Sequence, residues 1–137
     1  MLEDKFSVAL VVEMIENIRT IYQERSETIP SYSSHEINEV VYCCNRTYTM
    51  VGGQELYPSR ADKIAALIYN LDKGHYLSNG NKRICFGMVI LFLSLEQCIQ
   101  EYIHNSDKLN YISLCIDRVS KNEWTKKELI LGIQSIV

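Results

Sequence analysis

The 137-residue chain is poor in residues that interrupt or staple a backbone, with two prolines and six glycines. Pro30 and Pro58 each stand between periodic segments, so long unbroken helices are expected. The five cysteines are an odd count and show no CxxC spacing. That argues against a zinc site and a disulfide framework, and for reduced, buried thiols in a cytoplasmic protein. Neither sign of charge dominates: the net charge is −3 and the pI about 5.6. Such a balance gives no general electrostatic grip on nucleic acid and leaves room only for a local basic cluster. Long hydrophobic runs are missing too. The longest, Ile84 to Leu93, is about half of the ~20 residues a membrane span needs, and reads as a core helix with no membrane partner. The opening Met1-Leu2-Glu3-Asp4 is acidic where a secretory signal would be basic.

What is present suits one folded domain over 1–137. Apolar residues make up 47% and charged residues 23%, a globular balance with enough chain for one core. Val8, Val11, Val12, Ile15 and Ile18 recur at helical spacing and predict a first helix from Asp4 to Arg25. Ser33 and Glu36 fit a capping box, and Ile37, Val40, Val41 and Cys44 mark the face of a second helix ending near Arg46. Thr47 to Tyr57 is β-branched and aromatic around Gly52-Gly53, the pattern of a small hairpin. Ser59 and Asp62 cap a third helix from Arg60 to Lys73, and Gly74 stands where a helix-ending residue of positive φ belongs. From Asn81 the chain is apolar on all sides, which places that helix at the centre of a bundle. Two amphipathic helices follow: one over Leu109, Ile112, Ile116 and Val119, the other capped by Thr125 and Glu128. The expected fold is all-α, a compact bundle of about six helices around a central buried helix, with a small β-hairpin.

Reactive residue types concentrate between Gly74 and Arg83, where His75, Ser78, Asn79, Gly80, Asn81, Lys82 and Arg83 enter the central helix. The first amides of a helix lack internal partners and sit at the positive end of its dipole. Gly80 lets an oxyanion approach the backbone, Lys82 adds a point charge, and Arg83 adds a planar fork suited to phosphate oxygens. His75 can take a proton from an attacking hydroxyl. Together they have the elements of a phosphate cradle serving group transfer. The plain alternative is an ordinary Asn-Gly-Asn turn and cap, although cations in a first helical turn oppose the dipole. A P-loop is excluded, because GxxxxGK followed by Ser or Thr is absent.

His75-Tyr-Leu-Ser-Asn-Gly-Asn-Lys-Arg83 resembles the signature of the Fic/Doc (Fido) superfamily, H-x-F-x-[D/E/N]-[G/A]-N-[K/G]-R. With Lys82 it is closer to the death-on-curing (Doc-like) branch than to the adenylylating branch. Tyr57-Pro58, the Ala61–Leu67 stretch and the apolar helix ending Leu91-Phe92-Leu93 are similar to the family's usual arrangement, so the likeness covers Leu56 to Leu95. The resemblance implies a transferase that moves a phosphoryl or AMP group from ATP or another nucleoside triphosphate to a protein hydroxyl. It implies His75 as general base, Asn79, Gly80 and Asn81 in the phosphate and nucleotide site, and catalytic contacts from Lys82 and Arg83. The hairpin, at Val51, Gly52, Gly53 and Gln54, would be a flap aligning the target by edge pairing. Mg²⁺ would sit weakly at Asn79. Doc-like toxins act on a translation factor and are restrained by an antitoxin chain, so both are implied partners.

Departures from the signature keep a second reading open. Asn79 replaces the usual carboxylate with a neutral amide, a poorer ligand for a hard cation. Leu77 replaces the usual Phe, and Phe86 stands where adenylylating members often carry a second Arg. No Ser/Thr-x-x-x-Glu-Gly/Asn inhibitory helix is present; Val12 to Glu16-Asn17 comes nearest and lacks the hydroxyl. The alternative is a degenerate Fic-fold module that binds nucleotide or a partner peptide without turnover. His35 and His104 read as surface residues, Cys85 as core, Trp124 as an anchor of the last helix, and Asp72 and Lys73 as a solvated helix end.

Overall fold

The computed structural model describes residues 4–25, 29–78 and 80–137. Helix α1 (Val8–Glu24) starts later than the apolar stripe alone suggests, because the Ser7 hydroxyl accepts the Leu10 N–H and fixes the cap there. It buries Val11, Ile15 and Ile18. Helix α2 (Ser34–Asn45) opens on the expected capping box: the Ser33 hydroxyl accepts the Glu36 N–H at 3.1 Å, and the Glu36 carboxylate accepts the Ser33 N–H at 2.9 Å.

A 3-10 turn over Arg46–Tyr48 takes residues that the sequence pattern assigns to the hairpin, so its arms are short: β1 (Met50–Val51) and β2 (Gln54–Glu55). The register pairs Met50 with Glu55 and Val51 with Gln54. Gly52 and Gly53 have φ of 57° and 79°, the two positive values that match a turn to strand twist. Thr47 and Tyr48 leave the hairpin because burial claims them. Thr47 is 1% exposed, and the Tyr48 ring stacks on Phe92 with centroids 6.2 Å apart. The second arm is held from below by Lys63, whose side chain is buried. Its ammonium lies 3.0 Å from Glu55 Oε1 and donates to the Tyr57 carbonyl at 2.5 Å.

Helix α3 (Arg60–Gly74) is capped by Ser59. Its end corrects the sequence reading. Gly74 is the last helical residue, and His75 takes the left-handed conformation at φ 48°, ψ 48°. The glycine is needed for room instead, since a Cβ there would run into the Tyr76 ring.

Helix α4 (Asn81–Leu95) is central as expected and packs against α1 and α3, and against α5 (Ile99–Ile103) and α6 (Ser106–Ser120). It packs closely on α1 at Gly87, where a Cβ would collide with the Ile18 side chain. Helix α3 shares the centre, touching α2, α4, α6 and α7 (Lys126–Gln134), with Ile64, Leu67 and Ile68 fully enclosed. Seven helices are thus found among the described residues, against about six expected. The extra one, α5, has five residues, too few to show a period, and is docked by the buried Tyr102.

All five cysteines are buried and unpaired, and burial pushes the Cys43 and Cys115 thiols up to about 11. Neutral thiols are poor nucleophiles and suit a packing role. Among the described residues no helix is long and apolar enough to cross a membrane.

Candidate active site

The connection from α3 to α4 is short and fastened at three points. Leu77 inserts into the core at 4% exposure, filling the anchoring place with an aliphatic side chain. Asn81, the first residue of α4, binds both backbone groups of Leu77: its Oδ1 accepts the N–H at 3.1 Å and its Nδ2 donates to the carbonyl at 2.8 Å. Its amide therefore braces the loop, while its backbone N–H stays at the helix start. The third fastening comes from α2, where Glu36 Oε2 accepts the Ser78 N–H at 3.0 Å. One carboxylate thus caps α2 and ties down the loop.

Gly80 precedes α4 at φ 79°. A Cβ there would lie 2.7 Å from the Tyr32 hydroxyl, so conformation and space both demand glycine. Burial and the nearby Glu36 carboxylate raise the Tyr32 pKa, which keeps that hydroxyl a neutral donor beside the helix start.

His75, Gly80, Asn81, Lys82 and Arg83 all line one cavity of about 270 Å³, and Asp72, Ser78 and Ser120 complete its wall. A histidine, two cationic residues and the amino end of a helix share the wall of this one hollow, a set of groups whose chemistry suits holding an oxyanion and taking a proton from a neighbouring hydroxyl. The cations are organised by the fold. The Lys82 ammonium lies 3.0 Å from Asp117 Oδ1 on α6, and Asp117 Oδ2 lies 2.9 Å from Lys121. Hydrogen bonds from Lys121 and then Lys82 lower the Asp117 pKa, so this carboxylate is charged at neutral pH. The Arg83 guanidinium lies 4.7 Å from the centre of the Tyr22 ring on α1. Lys82 and Arg83 also border a second, wider groove of about 660 Å³, walled by Tyr22 and Phe86 on one side and Leu109, Leu114 and Asp117 on the other.

Other residues fall elsewhere. Asn79, the expected weak Mg²⁺ ligand, lies outside the described residues. The hairpin residues Val51, Gly52, Gly53 and Gln54 are exposed and contribute nothing to the wall of the His75 cavity. His35 is exposed beside Glu39, His104 ends α5 at the surface, and Cys85 is buried against the Ile68 carbonyl. Trp124 covers Gly132 of α7. Glu16, in the stretch nearest to an inhibitory motif, is exposed and paired with Arg19 at 2.8 Å. Among the described residues no group of three or more His, Cys, Asp or Glu side chains could hold a metal ion. Sequence reasoning missed Glu36, Tyr32, Asp117 and Ser120, which come from distant elements. Only Glu36 carried a signal, and that signal was its cap.

The Glu36 contacts have a pH signature. Bonds from the Ser33 and Ser78 backbones hold its carboxyl below the ordinary glutamate value. A depressed folded pKa means the tether is fully present above the ordinary value and is lost as pH falls through the depressed one. The Ser33 and Ser78 amide resonances should therefore titrate together, with a common midpoint below the ordinary glutamate value. Independent midpoints would show that Glu36 does not join the two segments.

A family model described as the Fic/DOC family matches residues 7–93, nearly two thirds of the chain, from α1 through the hairpin and the His75 loop into α4. No curated protein and no solved structure gives a significant match.

Proposed function

The chain belongs to the Fic/DOC family, and on that premise we propose that it is a Doc-like transferase moving a phosphoryl or AMP group from ATP, or another nucleoside triphosphate, to a protein hydroxyl. The observation that carries this reading is the shared cavity: His75 stands at its wall together with Gly80, Asn81, Lys82 and Arg83 at the start of α4. His75 takes the proton of a Ser, Thr or Tyr hydroxyl. The freed oxygen attacks phosphorus, and the bond to the leaving phosphate oxygen breaks. ADP departs after phosphoryl transfer, and diphosphate after AMP transfer. The helix amides, Lys82 and Arg83 hold the phosphate charge in place, and such positioning carries most of the catalysis in this chemistry.

The described wall offers a divalent cation one carboxylate, Asp72, with the Ser78 and Ser120 hydroxyls. That donor set fits Mg²⁺ held largely by the donor's own phosphates. When bound, Mg²⁺ neutralises phosphate charge. The hairpin, with both short arms exposed, is the flap offered to an extended target segment. A translation factor is the target class of this branch. Restraint by a separate antitoxin chain belongs to the same reading.

A second reading has its own support. Lys82 is paired with Asp117, and Arg83 is stacked on Tyr22, so both cations already have partners within the fold. A module that binds nucleotide or peptide without turnover needs no more. Incubation with lysate and ATP labelled at either the α- or the γ-phosphorus separates the cases. Protein labelled from the γ position means phosphoryl transfer, and from the α position AMP transfer. Labelling from neither, with ATP binding retained, leaves the module.

A further inference from the structure

Lys82 and Arg83 line both cavities, and the residue that pairs with Lys82 comes from α6. We propose that Asp117 is a positioning residue for the anion site: its carboxylate holds the Lys82 ammonium in place for a phosphate oxygen. This rests on the reading of the His75 loop as a phosphate site. Lysine has a flexible four-carbon stem and a compact charge with three donors. At 51% side-chain exposure, Lys82 untethered would sample many rotamers and would lose that freedom each time an anion bound. Asp117 Oδ1, at 3.0 Å, engages one donor and leaves the others for a ligand.

The carboxylate is itself fixed. Its second oxygen is held at 2.9 Å by Lys121, four positions on, just past the end of α6. Arg118, the neighbouring cation on α6, is occupied by Glu123 at 3.1 Å. Asp117 with its two lysines carries a net charge of plus one, so the tether does not cancel the attraction for phosphate. Asp117 also lines the wider groove and not the His75 cavity, so it acts through Lys82 and not by touching an anion there.

The sign of the effect tests the idea. If Asp117 contributed only its charge, Asp117→Asn would remove a repulsion and tighten anion binding. A positioning role predicts the opposite. With inorganic tripolyphosphate as probe and calorimetry as readout, Asp117→Asn should bind about three- to five-fold more weakly, the scale of one surface ion pair. Asp117→Glu, which keeps the charge, should recover most of that loss. Lys121→Gln should change affinity by less than about two-fold. In a Lys82→Gln background, Asp117→Asn should no longer weaken binding, because the route through Lys82 is gone. Equal or tighter binding by Asp117→Asn overturns the proposal, as does a loss that persists in the Lys82→Gln background. No binding by the unaltered protein overturns the anion-site reading itself, and this inference with it.

Discussion

Replacing His75 with alanine should lower labelling of the target by about 10²–10⁴-fold, the usual contribution of a positioned general base. The fold should survive the change. His75 is exposed and follows α3 in a left-handed conformation, which alanine takes up at only a small extra cost over histidine. The loop is held at Leu77, Ser78 and Asn81, so the imidazole is not one of its fastenings. Affinity for tripolyphosphate should stay within a few-fold, because the amides of α4, Lys82 and Arg83 remain. This split between binding and rate is the diagnostic. Initial rates of transfer from labelled ATP, beside calorimetric titration of the same variant, would measure it. Labelling at the unaltered rate would remove His75 from the base role.

The largest structural effect is expected at Phe92. Its side chain is fully enclosed in the lower half of α4 and carries the stacked ring of Tyr48, the planes inclined by 9°. Phe92→Ala should cost about 3–5 kcal/mol, from lost burial and the cavity left behind. That is a large share of the ~5–15 kcal/mol that typically holds a domain together. The damage should spread toward the hairpin. Tyr48 ends the turn that feeds β1, its hydroxyl donates to Glu96 at 2.5 Å, and Lys5 lies 4.3 Å from its ring centre. Urea unfolding would give the loss of stability, and amide exchange at residues 50–55 would show whether the flap loosens with it. A cost below about 1 kcal/mol would mean that neighbours refill the space and that the Phe92–Tyr48 stack supports nothing beyond itself.

The helices could be read because their apolar spacing and caps are local properties. Ser33 with Glu36, Ser59 with Asp62, and Thr125 with Glu128 each mark a start that the structure keeps. The failures also have physical causes. The start of α1 moved because the Ser7 hydroxyl caps the helix at Val8, and Thr47 and Tyr48 left the hairpin because the core had room for them. Gly74 misled because glycine answers two needs, positive φ and free space, and a sequence does not say which. The His75 loop was legible as a run of nine neighbouring residues. Its supports were not, since Glu36, Tyr32 and Asp117 reach it from α2, the segment before α2, and α6. Their side chains are ordinary surface types until folding brings them to the loop.

Gly87 gives the bundle one last consequence. It lies one turn beyond Arg83 on α4, and Ile18, which fills the space above it, lies one turn before Tyr22 on α1. The missing side chain works as a shim of zero thickness: it sets how near the two rods can lie, and hence whether the guanidinium rests on its aromatic seat. A hydrocarbon contact with no charge of its own thereby governs the reach of a cation four positions upstream.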